Sequence, residues 1–266
     1  MCRWAAYLGE AIFLEEIVTA PSHSLIVQSH RAREAKSPTN ADGFGLAWYG
    51  DRPEPGRYRD TLPAWSDLNL TSLCRQIKSG LFLAHVRAST GGGTSRMNCH
   101  PFVSGRWSFM HNGQIGGFDK IRRRLENSLS DAVFSQREGS TDSELFFLLM
   151  IEEGLSPDPH GAAARATSRV LDASRRAGVD PALKLTAAFS DGQSLYAVRY
   201  ATDDRAPTLY TGAFAKGVGR CIVSEPFDRD GRTWHEIPQS SFVTMTRGST
   251  SIRPFAPTAV PLALAS

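Results

Sequence analysis

Apolar and polar positions alternate, or form short apolar runs, in eight segments of the chain. Four of these segments precede residue 111 and four follow residue 182. Runs of this length that end near glycine or polar residues are typical of β-strands. The predicted strands cover residues 4–8, 44–48, 81–86, 107–110, 183–189, 195–200, 221–223 and 242–245.

Helical patterns occupy the middle of the chain. The clearest begins at Thr141, which forms a capping box with Glu144 ahead of the apolar residues 145–151. Since this helix is apolar on all sides, we predict that it is buried between layers. Helices at 118–129 and 161–177 are more polar and should face solvent on one side.

The order of strands, helices and strands predicts two sheets with a helical layer, and not a strict βαβ alternation. The segment 51–60 is rich in Pro, Arg and Asp, and we predict a surface loop there. An apolar tail from about residue 255 is expected to be peripheral. The chain of 266 residues is interpreted as a single domain.

Composition and charge exclude several classes of protein. Hydrophobic residues make up 41% and charged residues 21%, as in ordinary folded proteins and unlike disordered or collagenous chains. The net charge of +3 is too small to provide a phosphate-neutralising surface, so we expect no nucleic-acid partner. The basic run 122–124 is predicted to be a solvated helix face.

The cysteines indicate a reducing compartment. Their spacing includes no C-x-x-C and none of the density of a secreted scaffold, and the four are Cys2, Cys74, Cys99 and Cys221. No signal-peptide pattern is visible at the start, and the apolar stretch near the end is too short to span a bilayer. We therefore expect cytoplasmic residence and no membrane partner, with Cys74 and Cys221 as buried small hydrophobes.

Cys2 is the first candidate for chemistry. Removal of Met1 would leave Cys2 with a thiol and a free α-amine on one residue. The amine titrates near neutral pH in model compounds and can take the thiol proton, so nucleophile and base come together without a histidine. A second-position cysteine that merely begins a strand is the alternative interpretation.

Four polar clusters beside glycines follow predicted strands or begin the central helix. Arg87 leaves the strand 81–86, where a guanidinium could bind a carboxylate bidentately. Asn112 and Gly113 could donate to an oxyanion, although Asn-Gly is also a common hairpin turn. Asp142 lies in the first turn of a helix, where a plain helix-start role would suffice. The fourth cluster, 40–45, is either a plain turn or a contributor to the site.

Together these residues meet the requirements of a γ-glutamyl amide, which carries an α-carboxylate, an α-ammonium and a scissile amide. Arg87 suits the carboxylate and Asp142 the ammonium. Cys2 suits attack on the amide carbon, with Asn112 and Gly113 at the oxyanion.

The motifs also resemble a known family. Cys2-Arg3 is followed by five motifs in family order, namely 42-DGFG-45, 85-HVRAST-90, 100-HPF-102, 111-HNG-113 and 140-STDSE-144. This order is similar to that of class II glutamine amidotransferases, in the N-terminal nucleophile hydrolase superfamily. Features at 21–29 and 48–49 resemble the stand-alone group, which includes the ergothioneine-pathway γ-glutamyl amidohydrolase and glutathione-degrading relatives.

The resemblance implies a fold and a set of roles. The fold is a four-layer αββα sandwich of two antiparallel sheets between helical layers, in the α+β class. Cys2 would be the nucleophile, Asn112 and Gly113 the oxyanion hole, and the glutamyl-binding residues Arg87, Thr90, Asp142 and His111. Many synthases of the class have His after the threonine, whereas Gly91 stands here, so contacts at that position are not transferred.

The predicted reaction is hydrolysis of a γ-glutamyl amide through a thioester on Cys2, without cofactor or metal. One alternative is a glutaminase subunit that delivers ammonia to a separate synthase. Another is a catalytically silent γ-glutamyl-binding module, and a homo-oligomer is possible in each case. A zinc site is a further alternative, with the Cys and His ligands that zinc accepts drawn from His85, Cys99, His100 and His111.

Overall fold

The structure is a computed structural model that describes residues 2–34, 39–89, 93–180, 182–214, 218–228 and 233–258. Its strands are β1 (Arg3–Phe13), β2 (Phe44–Trp48), β3 (Gly56–Asp60), β4 (Lys78–Val86), β5 (Phe102–Ser104), β6 (Trp107–Ile115), β7 (Leu183–Ser190), β8 (Leu195–Ala201), β9 (Tyr210–Phe214), β10 (Gly219–Val223), β11 (Trp234–Glu236), β12 (Ser241–Met245) and β13 (Thr250–Pro254). Its α-helices are α1 (Glu15–Val18), α2 (Leu25–Arg31), α3 (Leu68–Gln76), α4 (Phe118–Glu126), α5 (Asp131–Phe134), α6 (Asp142–Glu152) and α7 (Pro159–Arg176).

The strands form two antiparallel sheets. The first sheet has seven strands in the order β11-β9-β10-β1-β4-β2-β3, and the second has six in the order β13-β12-β8-β7-β6-β5. All eight predicted strands are confirmed, and each lies within one of these elements. Five short strands had no prediction, and all of them lie at or next to sheet edges.

Strand β1 shows why the central strands have nearly continuous apolar sequences. Ala5 and Tyr7 pack in the core beneath helices α1–α3, whereas the alternating residues Trp4, Ala6 and Leu8 pack against the second sheet. Both faces of the strand are therefore buried, and neither face selects polar residues. This places the first residue before β1, Cys2, at the end of a strand held on both sides.

Helices cover the outer face of each sheet. Helices α1–α3 contact the first sheet, and α6 lies on β6 of the second sheet with α4, α5 and α7 around it. The buried surface of α6 runs without interruption from Ser143 to Met150, and Phe147 stacks on Phe109 of β6 at 5.2 Å between ring centroids. The prediction of a buried α6 and of a four-layer αββα sandwich is confirmed.

The predicted surface loop 51–60 is wrong over its second half. Gly56–Asp60 forms β3, which pairs with β2 at the edge of the first sheet. An edge strand needs a partner on one side only and tolerates charged residues, so its sequence lacks an apolar run. Arg59 nevertheless points inward, and its Nη1 donates to the Cys99 carbonyl at 3.1 Å.

Two further features concern the surface and the end of the chain. The run 122–124 lies on α4, where Arg123 and Arg124 are exposed, so the predicted solvated face is confirmed. Phe255 is buried and stacks on Phe242, and residues 259–266 lie outside the described residues. None of the helices described is long and apolar enough to cross a membrane.

Candidate active site

A cavity of about 330 Å³ lies where six predicted site residues meet. Cys2 comes from the start of β1 and Arg87 from the end of β4, while Asn112 belongs to β6 and Asp142 begins α6. The cavity wall also includes Ala88, Ser89, His100, His111, Gly113, Gln114, Ile115, Gly117, Phe118, Asp119, Arg122, Ser140, Thr141 and Ser143. The two sheets and α6 therefore bring residues from four distant parts of the sequence to one site.

The Cys2 thiol contacts the backbone that follows β4. Its Sγ lies 3.6 Å from the Ala88 carbonyl oxygen and 3.5 Å from the Ala88 nitrogen, which donates to it. Burial raises the pKa of the Cys2 thiol, and the Ala88 N–H and the charge of Arg87 oppose that rise only in part. The thiol is therefore protonated at neutral pH and needs a base before it can attack.

Arg87 is fixed by the turn that precedes β2. Its Nη1 donates to the Asp42 carbonyl at 3.2 Å, and its Nη2 donates to the Ser89 hydroxyl at 3.1 Å. Ser89 in turn donates its backbone N–H to the Asp42 carboxylate at 2.7 Å. Each Nη of a guanidinium carries a second hydrogen, and these two donors suit a carboxylate.

Gly43 allows this turn to approach the site closely. Its φ of +113° is in the region that favours glycine, and a Cβ there would collide with Cys99 Sγ and the Asp60 carbonyl. The predicted turn into β2 is thus confirmed, and its backbone supports Arg87.

Asn112 and Gly113 lie inside β6 and do not form a hairpin turn. They pair with Thr186 and Leu185 of β7. The Asn112 side chain is buried, and neither its Oδ1 nor its Nδ2 has a hydrogen-bond partner among the described residues. A buried amide without a partner is costly, so this one is suited to a polar group that enters the cavity.

His111 is held between a carbonyl and a hydroxyl. Its Nε2 lies 3.0 Å from the Lys184 carbonyl, which can only accept, so Nδ1 is left to accept from the Ser143 hydroxyl at 2.9 Å. Burial lowers the pKa of His111. Both ring nitrogens are occupied, and the neutral ring supports the wall of the site.

Asp142 combines a structural role with a free acceptor. Its Oδ2 accepts from the Ile115 N–H at 2.8 Å, and its Oδ1 accepts from the Ser143 N–H at 2.8 Å. A carboxylate has about four acceptor positions. The carboxylate therefore keeps capacity for an ammonium group in the cavity while it joins β6 to α6.

The capping box at the start of α6 forms only in part. Thr141 Oγ1 accepts from the Glu144 N–H at 3.1 Å, as predicted. The Glu144 carboxylate does not return to Thr141 and instead accepts from the N–H groups of Glu138 and Gly139, both at 2.8 Å. This carboxylate holds the loop that leads to Asp142.

Two buried histidines, His85 and His100, lie at or next to the cavity. The sequence alone indicates them only as candidate metal ligands or as parts of motifs. The rings of His85 and His100 lie 4.3 Å apart between centroids, and His100 lines the cavity. Both His100 nitrogens and His85 Nδ1 lack hydrogen-bond partners among the described side chains and backbone. Burial lowers the pKa of His85 to about 3 and that of His100 well below its ordinary value, so both rings are neutral.

The predicted glutamyl-binding residue Thr90 is outside the described residues, as is Met1. His23 pairs with Glu225, and His30 stacks on Trp65, so neither lines this cavity. Cys74 and Cys221 are buried as predicted. In the described ranges, no group of three or more Cys, His, Asp or Glu side chains is arranged to hold a metal ion.

Comparison with known proteins gives several similarities. The family described as glutamine amidotransferases class-II matches residues 14–211. The probable glutamine amidotransferase DUG3 of Saccharomyces cerevisiae is 33% identical, over 96% of this chain and 84% of its own length. The gamma-glutamyl-hercynylcysteine sulfoxide hydrolase of Mycolicibacterium smegmatis is 28% identical, over 96% of this chain and all of its own length.

Solved structures agree. A glutamine aminotransferase class-II domain protein from Silicibacter pomeroyi superimposes with a TM-score of 0.79 at 42% identity, covering 97% of this chain and all of that one. The glutamine PRPP amidotransferase of Bacillus subtilis shares the fold, with a TM-score of 0.66 at 16% identity over 96% of this chain and 49% of its own. The chain therefore belongs to the class II glutamine amidotransferases, as the order of its motifs predicted.

Proposed function

We propose that this protein hydrolyses a γ-glutamyl amide through a covalent thioester on Cys2. The observation that carries the proposal is that Cys2, Arg87, Asn112 and Asp142 line one cavity. These four side chains supply a nucleophile, a cation, an amide donor and an anion. Those are the groups needed to hold the two charged α-substituents of a γ-glutamyl group and to attack its amide.

Binding comes first. The α-carboxylate pairs with Arg87, whose guanidinium is held by the Asp42 carbonyl, and the α-ammonium pairs with Asp142. Thr90 completes the glutamyl site in this proposal, and His111, whose ring nitrogens are both occupied, forms part of its wall. Charge-assisted bonds at both α-substituents orient the γ-amide toward Cys2.

Attack requires that the thiol lose its proton. Burial raises the pKa of Cys2, and the described contacts of Sγ are with Ala88 and not with a histidine. After removal of Met1, the α-amine of Cys2 accepts this proton, and the thiolate attacks the γ-carbonyl carbon. The Asn112 side-chain amide and the Gly113 N–H donate to the resulting oxyanion.

When the tetrahedral intermediate collapses, the leaving amine takes a proton from the Cys2 α-ammonium and departs. A γ-glutamyl thioester remains on Sγ. Water then attacks the thioester, with the α-amine again as the base, and glutamate leaves. The Cys2 α-amine passes the thiol proton to the leaving amine and the proton of water to the departing Cys2 thiolate, so the enzyme ends each cycle in its starting state.

The identity of the leaving group distinguishes the reactions that this site could catalyse. The Mycolicibacterium smegmatis relative is named as a hydrolase of a gamma-glutamyl sulfoxide conjugate, which favours a γ-glutamyl conjugate over free glutamine as substrate here. A chain that acts alone releases the amine to solvent in the cytoplasm. A glutaminase subunit would instead deliver ammonia to a synthase.

A substrate panel tests the proposal. Purified chain whose intact mass shows loss of Met1 is incubated with glutamine, γ-glutamyl dipeptides and glutathione, and glutamate release is followed. We expect turnover of at least one conjugate. Activity should fall by at least about 1000-fold in Cys2→Ala, whereas the matched control Cys74→Ala should keep its activity. Equal turnover in Cys2→Ala would refute the nucleophile, and absence of turnover with tight binding would indicate a silent binding module.

A further inference from the structure

Arg3 directly follows the nucleophile and turns away from the cavity. It is fully buried and does not contribute to the cavity wall. Its Nε donates to the Cys2 carbonyl oxygen at 2.8 Å, and its Nη1 donates to the Ser224 carbonyl at 3.2 Å and to Glu225 Oε2 at 3.4 Å. The guanidinium thus connects the backbone of Cys2 to the segment that follows β10.

Glu225 is itself held firmly. Its carboxylate receives the His23 ring and the backbone N–H groups of Arg33 at 2.9 Å and Glu34 at 3.1 Å. Burial alone would raise the pKa of Glu225, but these bonds and the Arg3 charge bring it below its ordinary value. Arg3 is therefore paired with an ionised carboxylate that has little freedom to move.

The sheet gives Cys2 no other backbone anchor from β10. Pairing of β1 with β10 begins at Ala5, extended by the Trp4 N–H, which donates to the Ser224 hydroxyl at 2.9 Å. Pairing of β1 with β4 begins at Arg3. Cys2 lies one residue before the β4 ladder and three residues before the β10 ladder, and there the Arg3 side chain binds its carbonyl.

A buried ion pair is a poor source of stability, because desolvation of two charges offsets their attraction and apolar replacements are often as stable. We propose that Arg3 is a positioning residue. It holds the Cys2 main chain so that the thiol and the α-amine keep their positions relative to the oxyanion donors. This inference rests on the proposed function of Cys2. Loss of Met1 frees the amino side of Cys2, so the carbonyl anchor then carries the positioning.

The test replaces the pair and not one partner, since a lone buried charge could unfold the chain. In Arg3→Met/Glu225→Gln, the anchor is lost while the volume is kept. Because Arg3 does not touch the cavity, we expect kcat to fall by about tenfold or more with KM within about twofold. A folded variant with unchanged kcat, or a change confined to KM, would overturn the proposal.

The matched control is Arg199→Met/Glu236→Gln. Arg199 is also buried and donates to the Pro207 carbonyl at 3.1 Å and to Glu236 at 2.7 Å, but its described hydrogen bonds do not include Cys2. We expect this variant to lose thermal stability while its kcat stays within about twofold of the original. An equal loss of kcat in the control would show that the effect of Arg3 is not specific.

A second readout is independent of the substrate. The rate of alkylation by iodoacetamide is measured in protein whose intact mass shows loss of Met1, and peptide mapping assigns the modification to Cys2. We expect the rate at neutral pH to fall about threefold or more in Arg3→Met/Glu225→Gln, because thiol and amine meet less often. If the original chain hydrolysed no γ-glutamyl compound, the proposed function would fail, and equal alkylation rates would separately refute the role of Arg3.

Discussion

Asn112 is the residue at which burial and chemistry conflict most clearly. Its amide is buried without a partner among the described residues, although it lies in a regular strand beside Cys2's cavity. Such a group costs stability unless a ligand satisfies it. The proposed oxyanion provides that partner during the reaction and not before it.

Replacement of Asn112 tests this role. We expect Asn112→Ala to lower kcat by about 10²- to 10³-fold with little change in KM, because one oxyanion donor is removed. Steady-state glutamate release provides the measurement, and Asn127→Ala, at the exposed end of α4, is the control. A kcat within about threefold of the original would remove Asn112 from the oxyanion hole.

The sequence motifs identified the residues whose side chains react with or bind a substrate. They did not identify a residue such as Arg3, which acts by positioning another residue. Cys2, Arg87, Asn112 and Asp142 stand in recognisable motifs, and the structure brings all four together. The bond from Arg3 to the Cys2 carbonyl depends on where the side chain turns. A buried arginine has no signature in a single sequence, so its position required the structure.

At the scale of elements, the start of α6 links stability to the site. Thr141 caps the helix, and Glu144 binds the two backbone N–H groups of the loop before it. Asp142 stands between them and also accepts from Ile115 in β6. The helix end is thus fixed by three separate side chains.

Loss of the cap has a measurable cost. We expect Thr141→Ala to lower the free energy of unfolding by about 1 kcal/mol, since one helix N–H loses its acceptor. The melting temperature should fall by about 2–4 °C for a chain of this size. Thr71→Ala, at a half-buried position of α3 that does not cap a helix, serves as a control with a smaller expected loss. An unchanged melting temperature for Thr141→Ala would contradict the cap.

Elements were predictable in proportion to their burial. The strand 44–48 was predicted with the bounds of β2, because it is buried on both faces between β3 and β4. Edge strands such as the half-buried β3 and the largely exposed β13 resemble loops in sequence. Pairings such as β1 with β10 join residues about 200 positions apart, and no local pattern encodes such a partner.

At the scale of the whole molecule, the space between the sheets contains neutral histidines. Burial lowers the pKa of His85 to about 3 and that of His100 well below its ordinary value, whereas an unfolded histidine titrates near 6.5. Between these pH values the unfolded chain binds more protons than the folded one. Stability therefore rises with pH through this window and is lost as the pH falls below about 6.5.

The slope of stability against pH tests this count of protons. Each such histidine contributes up to about 1.4 kcal/mol per pH unit between about pH 4.5 and 6. We expect His100→Asn to reduce the slope of the urea-derived free energy of unfolding by about one proton. His235→Asn should leave the slope unchanged, because that ring is exposed on β11. Equal slopes for His100→Asn and the original chain would show that His100 is not buried neutral.

The proposed mechanism requires that Cys2 carry the glutamyl group during turnover. The most direct measurement is the intact mass of protein lacking Met1, mixed with a turned-over γ-glutamyl conjugate and quenched in acid within milliseconds. We expect an adduct of one glutamyl group that maps to Cys2, is cleaved by hydroxylamine as a thioester, and is absent from Cys2→Ala. Glutamate release at full rate without any adduct, or with an adduct on another residue, would contradict this mechanism.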